Sequence, residues 1–333
     1  MTSASLPRIG ITIGDPAGIG PEIAVRILAD STVQSICIPV LVGSPDVVAR
    51  ETSKYAPGTQ LAEVNLDELV APEAGTILVL PTGGPEDLVE YGHVDPSGGR
   101  AAVEAVRAAV RETIDGRLDA ICTAPLNKES MRLAGYPFDG HTEMLAKFTG
   151  ASLVSMLLLG EQLRVAHLTT HIALRDVPSR ITEDRLFAVV RIADQALRRL
   201  GIESPRIAIA GLNPHSGENG LFGTEERDVM VPAVTALRRQ GFDVRGPVPP
   251  DVVFIQAMDG KHDLVVVAYH DQGHIPVKLI ERDRAVNFTG GLPIIRTSVD
   301  HGTAFDIAGK GVATTVNMGA ALLMAARFAR SAR

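Results

Sequence analysis

The sequence predicts an α/β protein of two domains with largely parallel sheets, and three observations carry that expectation. Short β-branched runs alternate along the chain with longer helix-period stretches, the pattern of strands joined through crossover helices. At 333 residues the chain is too long for one ordinary core and suits two α/β domains, or one large domain split by an insertion. Hydrophobic residues at 45% can fill such cores, and charged residues at 21% keep the surface wetted.

The elements follow in order. Residues 8–13 (RIGITI) form the first strand, which runs into Gly14-Asp15-Pro16-Ala17-Gly18-Ile19-Gly20-Pro21-Glu22 and the helix-compatible EIAVRILAD. Pro21 suits a first helical turn, and the glycines permit close backbone approach to a ligand. The dinucleotide fingerprint needs another glycine spacing and an acidic residue ending the second strand, so a purely structural turn is an equal alternative. Residues 39–42 and 76–80 read as further strands, GGRAAVEAVRAAVRETIDG as a helix, and Ala120–Thr123 as a strand entering Thr123-Ala124-Pro125-Leu126-Asn127-Lys128. His141-Thr142 opens the helical stretch EMLAKFTG. Thr182, with Arg185 after it, starts the helix of ITEDRLFAVVRIADQALRRLG, while LRRLG and LRRQG end two helices with basic residues before Gly201 and Gly241. Arg206–Ala210 and residues 264–268 are strands, and GPVPPD at 246–251 is a rigid connection. The expected division is 1–130 plus 275–333 for one domain and 131–274 for the other, with a cleft between them.

Composition excludes several functions. A net charge of −7 without a long Lys/Arg cluster argues against a nucleic-acid partner or an anionic membrane surface, so any bound phosphate must be small and held locally. Cys37 and Cys122 lie far apart in apolar surroundings, which supports two buried thiols rather than a disulfide framework or a thiolate zinc site. The N-terminal MTSASLPRIGITIG has no basic segment followed by a long apolar one, and no stretch reaches ~18 apolar residues, so a cytoplasmic enzyme is expected.

The chemistry-bearing residues cluster at strand ends. His171, His215 and His270 each stand just past an apolar run, in RVAHLTTH, RIAIAGLNPH and LVVVAYH. The C-terminal ends of parallel strands open to one side, so the spacing predicts a divalent metal site with an open position. Taken singly, each is more simply a surface or hydrogen-bonded histidine; their repeated placement favours ligands. Asp271 is placed to orient an imidazole or act as an acid or base, or else simply forms a turn. His167 and His274 are weaker candidates. Lys278, Asn287 and Arg296 supply a point charge, an amide and a forked guanidinium in otherwise apolar segments, which suits a phosphate monoester better than exposed surface charge. His141 and Thr142 at a helix start suit an anion or carboxylate, unless Thr142 is only an N-cap. The small-residue loop from Asp300 to Gly311 can bring backbone against a flat aromatic ligand such as adenine.

GDPAGIGPEI, TAPLNKES, GHTEMLA, THIALRDV, GLNPHSGENG, YHDQGHIPVK and GLPIIRTSVDHGTAFDIAGKG resemble, in order and over nearly the whole chain, the 4-hydroxythreonine-4-phosphate dehydrogenase family of vitamin B6 biosynthesis. The first and last are also similar to segments of the isocitrate/isopropylmalate dehydrogenase superfamily. The resemblance implies a two-domain α/β/α subunit in a homodimer, with the active site in the interdomain cleft at the dimer interface. It implies that His171, His215 and His270 bind zinc, magnesium or cobalt, His270 coming from the partner subunit. It assigns His141, Thr142, Lys278, Asn287 and Arg296 to a small phosphorylated hydroxy acid. His301, Gly302, Thr303, Ala304 and Asp306 would lie near the adenine of NAD or NADP. The implied reaction oxidises the C3 hydroxyl of 4-phosphooxy-L-threonine and decarboxylates the product to 3-amino-2-oxopropyl phosphate, with Lys278, Asp271 or a metal-bound water as proton acceptor. NPHSGENGLFG, HDQGHIPVKL and HGTAFDIA look closer to the branch that handles D-threonate or D-erythronate 4-phosphate. A diol dehydrogenase of terephthalate degradation shares the HDQGHIP motif, but retention of Asn287 and Arg296 favours a phosphorylated substrate. Two other classes remain open on the residues alone: a metal-dependent phosphate-ester hydrolase and a non-catalytic ligand-binding protein.

Overall fold

A computed structural model of the chain describes residues 6–85 and 87–332; the first five residues of the segment read for a leader lie outside them. The chain divides into two compact units, one made of the residues up to Ser152 and from Leu292 on, the other of Leu153–Gly291, against expected crossings at 130 and 275. The strands are β1 Arg8–Thr12, β2 Ile38–Gly43, β3 Gln60–Glu63, β4 Thr76–Pro81, β5 Ala120–Thr123, β6 Ser155–Leu159, β7 Arg164–His167, β8 Arg206–Ala210, β9 Asp243–Val248, β10 Leu264–Val267, β11 Val286–Gly290 and β12 Arg296–Ser298.

The first unit carries the strand order β3-β4-β2-β1-β5-β12, every pair parallel. β1, β2 and β5 are buried almost throughout, as expected of parallel strands covered on both faces. The helix Pro96–Ile114 starts on Asp95, whose carboxylate accepts from the Ser97 and Gly98 amides, and buries Val103, Val106 and Val110 with Val42, Ile121 and Met131. Gly99 allows that packing, because a Cβ there would meet the Ser130 carbonyl at 2.2 Å.

The second unit carries β11-β6-β7-β10-β8-β9. β6 pairs antiparallel with both β11 and β7, while β7, β10, β8 and β9 are parallel. The helix Glu183–Arg199 begins where the sequence places it: Thr182 Oγ1 accepts from the Arg185 amide at 3.2 Å. It ends before Gly201, whose φ of 90° a side chain would resist. GPVPPD is not a bare connection. Its first three residues finish β9, and Pro250 opens the helix Pro250–Met258. Both cysteines are free and buried, and among the described residues no helix is long and apolar enough to cross a membrane.

One buried carboxylate organises the β6–β7 turn. Glu281 accepts from the amides of Glu161, Gln162 and Leu163 at 3.2, 2.8 and 2.7 Å, and a Cβ on Gly160 would fall 2.2 Å from its carboxyl carbon. Glu281→Ala strands those amides and is expected to cost about 3 kcal/mol, a fall in thermal midpoint of roughly 10 °C in a unit of this size. Thermal unfolding followed by circular dichroism checks it.

Candidate functional site

β10 lies between β7 and β8 and runs parallel to both, so the chain leaves all three strands at one edge of this sheet. His171, His215 and His270 follow those ends. His171 and His270 come together, ring centroids 5.8 Å apart, and both line a cavity of about 360 Å³ with Thr170, Tyr269 and Asp271. His270 opens the helix His270–Glu281, and its Nδ1 is 2.7 Å from Asp271 Oδ1. A carboxylate there fixes the Nδ1–H tautomer and leaves the Nε2 lone pair outward, the form in which an imidazole binds a metal. One helical turn on, the His274 ring stacks on His270 at 3.6 Å and 10°, with Nδ1 3.0 Å from the His270 carbonyl. Buried His167 lies beside His274.

His215 is held differently. From His215 to Asn219, φ runs 54°, 54°, 80°, 42° and 57°, with ψ near left-handed helical values for all but Gly217. Non-glycine residues avoid this region at a cost of about 1–2 kcal/mol each, so something outside the turn must hold it. The Asn213 amide donates to Glu226 Oε1 at 2.7 Å, and Asn213 Nδ2 donates to Glu226 Oε2 at 2.9 Å and to Glu225 Oε2 at 2.7 Å. Neither Asn213 nor Glu226 stands out in the sequence, because their link spans thirteen positions and follows no local pattern. Among the described residues no three His, Cys, Asp or Glu groups gather to hold one ion. The imidazoles of His171, His215 and His270, with the Asp271 carboxylate on His270 Nδ1, nonetheless fit a nitrogen-preferring divalent ion in donor chemistry.

The phosphate candidates divide between the units. In the first, Arg296 on β12 is 1% exposed, and its Nε and Nη2 donate to Thr123 Oγ1 at 3.1 and 2.7 Å. Burial pushes the guanidinium down to about 10, where Arg117, beside Glu112, moves upward instead. An anionic ligand would relieve that desolvation. His141 begins the helix His141–Thr149, its Nε2 is buried without a hydrogen-bond partner among the described residues, and burial followed by the Arg296 charge holds it well below its usual range. Gly140, not Thr142, is the N-cap, so the capping alternative for Thr142 does not apply. In the second unit Lys278 lies exposed on the helix His270–Glu281, and Asn287 Oδ1 on β11 is buried with no hydrogen-bond partner among the described residues. Thr123 was legible as a strand end but not as the anchor of Arg296.

Neutral His141 gives a sign for pH dependence. Its unfolded form takes a proton below about 6.5 and its folded form does not, so its contribution is complete above that value and is lost as pH falls, by at most about 1.4 kcal/mol per pH unit. Urea midpoints compared at about pH 7 and about pH 5 should fall, and His141→Gln should flatten the fall.

The loop from Asp300 to Gly311 is pinned from behind. The Ile19 amide donates to the Thr303 carbonyl at 3.0 Å, and a Cβ on Gly18 would fall 2.9 Å from that same oxygen. The GDPAGIGPE turn is therefore the backing of this loop. Lys54 Nζ donates to the Gly309 carbonyl at 2.6 Å, and Gly309 leaves no room for a Cβ against the Tyr91 ring. Ala304 takes φ 43°, and around Gly302 a Cβ would meet nothing within 4 Å, so the outward side is open backbone of the kind a flat purine can approach. His301 Nδ1 is 3.0 Å from the Gly302 carbonyl, and Lys310 Nζ donates to the Asp306 carbonyl at 2.7 Å.

Residues 35–325 match the family model described as pyridoxal phosphate biosynthetic protein PdxA. The chain is 47% identical over 330 residues to D-threonate 4-phosphate dehydrogenase of Cupriavidus necator (strain H16), covering 97% of this chain and 98% of the relative. It is 44% identical to 4-hydroxythreonine-4-phosphate dehydrogenase of Desulfosudis oleivorans, covering 96% and 95%. A crystal structure of 4-hydroxythreonine-4-phosphate dehydrogenase from Klebsiella pneumoniae superposes with a TM-score of 0.89 at 43% identity, over 98% of this chain and 99% of the other. With the family model matching most of its length, the chain belongs to the PdxA family of dehydrogenases.

Proposed function

We propose that the protein oxidises the C3 hydroxyl of a small 4-phosphorylated hydroxy acid with NAD or NADP and releases the carboxyl group as carbon dioxide, D-threonate 4-phosphate being the first substrate to test. The observation that carries the reading is the buried, burial-depressed Arg296 beside His141 Nε2, which is buried with no hydrogen-bond partner among the described residues: a cationic pocket whose desolvation an anionic phosphate would offset. Relatives named for D-threonate 4-phosphate support the first substrate, and the 44% identical relative keeps 4-phosphooxy-L-threonine as the second.

In this reading Arg296 donates to the phosphate, His141 donates as a neutral imidazole, and the helix start at Thr142 turns free amides toward it. Lys278 and Asn287 complete the phosphate grip, and Lys278 or Asp271 takes the hydroxyl proton. Binding energy from the remote phosphate then orients the reacting carbons. His171, His215 and His270 would hold the divalent ion, which when bound would supply Lewis acidity for loss of the alcohol proton and of carbon dioxide, and the loop of residues 301 to 306 would hold the adenine end of the NAD or NADP that serves as oxidant. The imidazole set favours zinc or cobalt over magnesium, which prefers oxygen. His171 and His215 of one chain acting with His270 of the partner subunit, in a homodimer, is the arrangement we put forward.

The carbon balance is simple. Oxidation at C3 leaves a 3-keto acid, which loses its carboxyl group to give dihydroxyacetone phosphate from D-threonate 4-phosphate or 3-amino-2-oxopropyl phosphate from 4-phosphooxy-L-threonine. Incubation of each acid phosphate with NAD+ or NADP+, following nicotinamide reduction, carbon dioxide and inorganic phosphate together, tests the reading. Reduction matched by carbon dioxide supports it; phosphate release without reduction would replace it with a hydrolase.

A further inference from the structure

We propose that Glu226 is a positioning residue for His215: its carboxylate, acting through Asn213, locks residues 215 to 219 in a left-handed turn and so fixes the imidazole as a metal ligand. The second half of that statement rests on the metal-dependent reading above; the first half does not.

The turn has no sufficient local cause. Of its five residues only Gly217 enters positive φ freely and Asn219 tolerates it, whereas His215, Ser216 and Glu218 do not favour it. The cause lies across the chain. Glu226 is 3% exposed and commits both carboxylate oxygens to one residue, Asn213, two positions before His215. Close approaches shut the turn in on three sides. A Cβ on Gly211 would fall 2.7 Å from Ser216 Oγ, one on Gly217 2.8 Å from Glu226 Oε2, and one on Gly223 2.4 Å from Asn213 Nδ2. Glu226 also begins the π-helical stretch Glu226–Met230, a rare form of backbone that is frequent at functional sites. A strained segment over-determined by its surroundings, with an imidazole at its head, is the arrangement expected where ring orientation matters more than stability.

Glu226→Gln is the direct test, because it turns one of the two oxygens that accept from Asn213 into an NH2 donor facing a donor. Cobalt(II) chloride alone, without substrate or nicotinamide, is titrated into the full chain and followed by visible absorption and equilibrium dialysis. The expected result is cobalt affinity weaker by about 10–100-fold, the range for loss of a group that orients a ligand. Glu218→Gly in the Glu226→Gln background should restore part of it, since glycine takes positive φ without steric cost. In parallel, the His215 Cε1–H resonance, assigned by its disappearance in His215→Gln, should move in metal-free Glu226→Gln while that of exposed His93 stays. A lower thermal midpoint in Glu226→Gln with an unmoved His215 resonance would make the loss one of fold stability alone and overturn the proposal. Unchanged cobalt affinity with an unmoved His215 resonance overturns the proposal. A wild-type chain that takes up no cobalt sinks the metal reading, and the resonance still decides the positioning. If Glu226→Gln does not fold, Glu218→Gly alone decides: a higher thermal midpoint supports the left-handed turn, and a lower one overturns it.

Discussion

Arg296→Met is expected to lower kcat/KM on a 4-phosphorylated hydroxy acid by about two to three orders of magnitude while leaving the unliganded protein at least as stable as before. The two effects have opposite signs for one physical reason. A guanidinium 1% exposed has given up its water, and its depressed proton affinity, down to about 10, records that loss. Methionine removes the desolvated charge and keeps most of the volume, which in folded proteins is often neutral or stabilising. The phosphate then loses a charge-assisted, forked donor whose direction is set by Thr123 Oγ1. Thr123→Val, which keeps the shape and deletes the anchor, should give a smaller loss of the same kind, about tenfold. Metal content should not change in either variant. Steady-state kinetics on the acid phosphate and its dephosphorylated analogue read the effect; equal turnover of both by the unmodified enzyme would refute the role.

Strands with alternating or continuous β-branched residues were legible because burial on both faces leaves a compositional trace. Ala120–Thr123 and Arg206–Ala210 have the expected bounds, and β1, β2, β4 and β10 differ from expectation by a residue or so at an end. β3, QLAE, left none: it is a mostly exposed edge strand whose pairing with β4 is all that makes it a strand. β12 was read for the charge of Arg296 rather than as RTS in a sheet, because three residues carry no period. At the site, strand-end logic found the His171–His270 pair, since parallel neighbours fix where chains emerge. It did not find the left-handed turn of His215, which depends on Asn213 and Glu226, or the tie of Thr123 to Arg296, which spans 173 positions. Such links are set by tertiary packing, and a sequence read element by element does not contain them.

His171→Ala is expected to remove bound divalent metal and dehydrogenase activity together, with little change in folding. The side chain is exposed on the loop after β7, so its truncation opens no cavity and should shift the thermal midpoint by no more than about 2 °C. Its cost falls on the ion. Losing one of three imidazoles from a site that binds through neutral nitrogens leaves too few donors to compete with water, so turnover should drop by about 10⁴-fold or more, to the level left by substrate binding alone. Asp271→Asn offers a graded comparison. An asparagine oxygen can still accept from His270 Nδ1 but without charge, so the ring stays oriented and becomes less basic, and affinity for the ion should fall by about tenfold rather than vanish. The order wild type, Asp271→Asn, His171→Ala should therefore appear in cobalt content and in activity alike. Metal analysis after dialysis, beside kinetics at saturating cobalt, separates the cases: added cobalt should restore the metal content of Asp271→Asn and not that of His171→Ala, and turnover of the cobalt-loaded Asp271→Asn shows whether Asp271 or Lys278 takes the hydroxyl proton. A fully metallated and active His171→Ala would take that residue out of the ligand set and leave the imidazole pair with some other purpose.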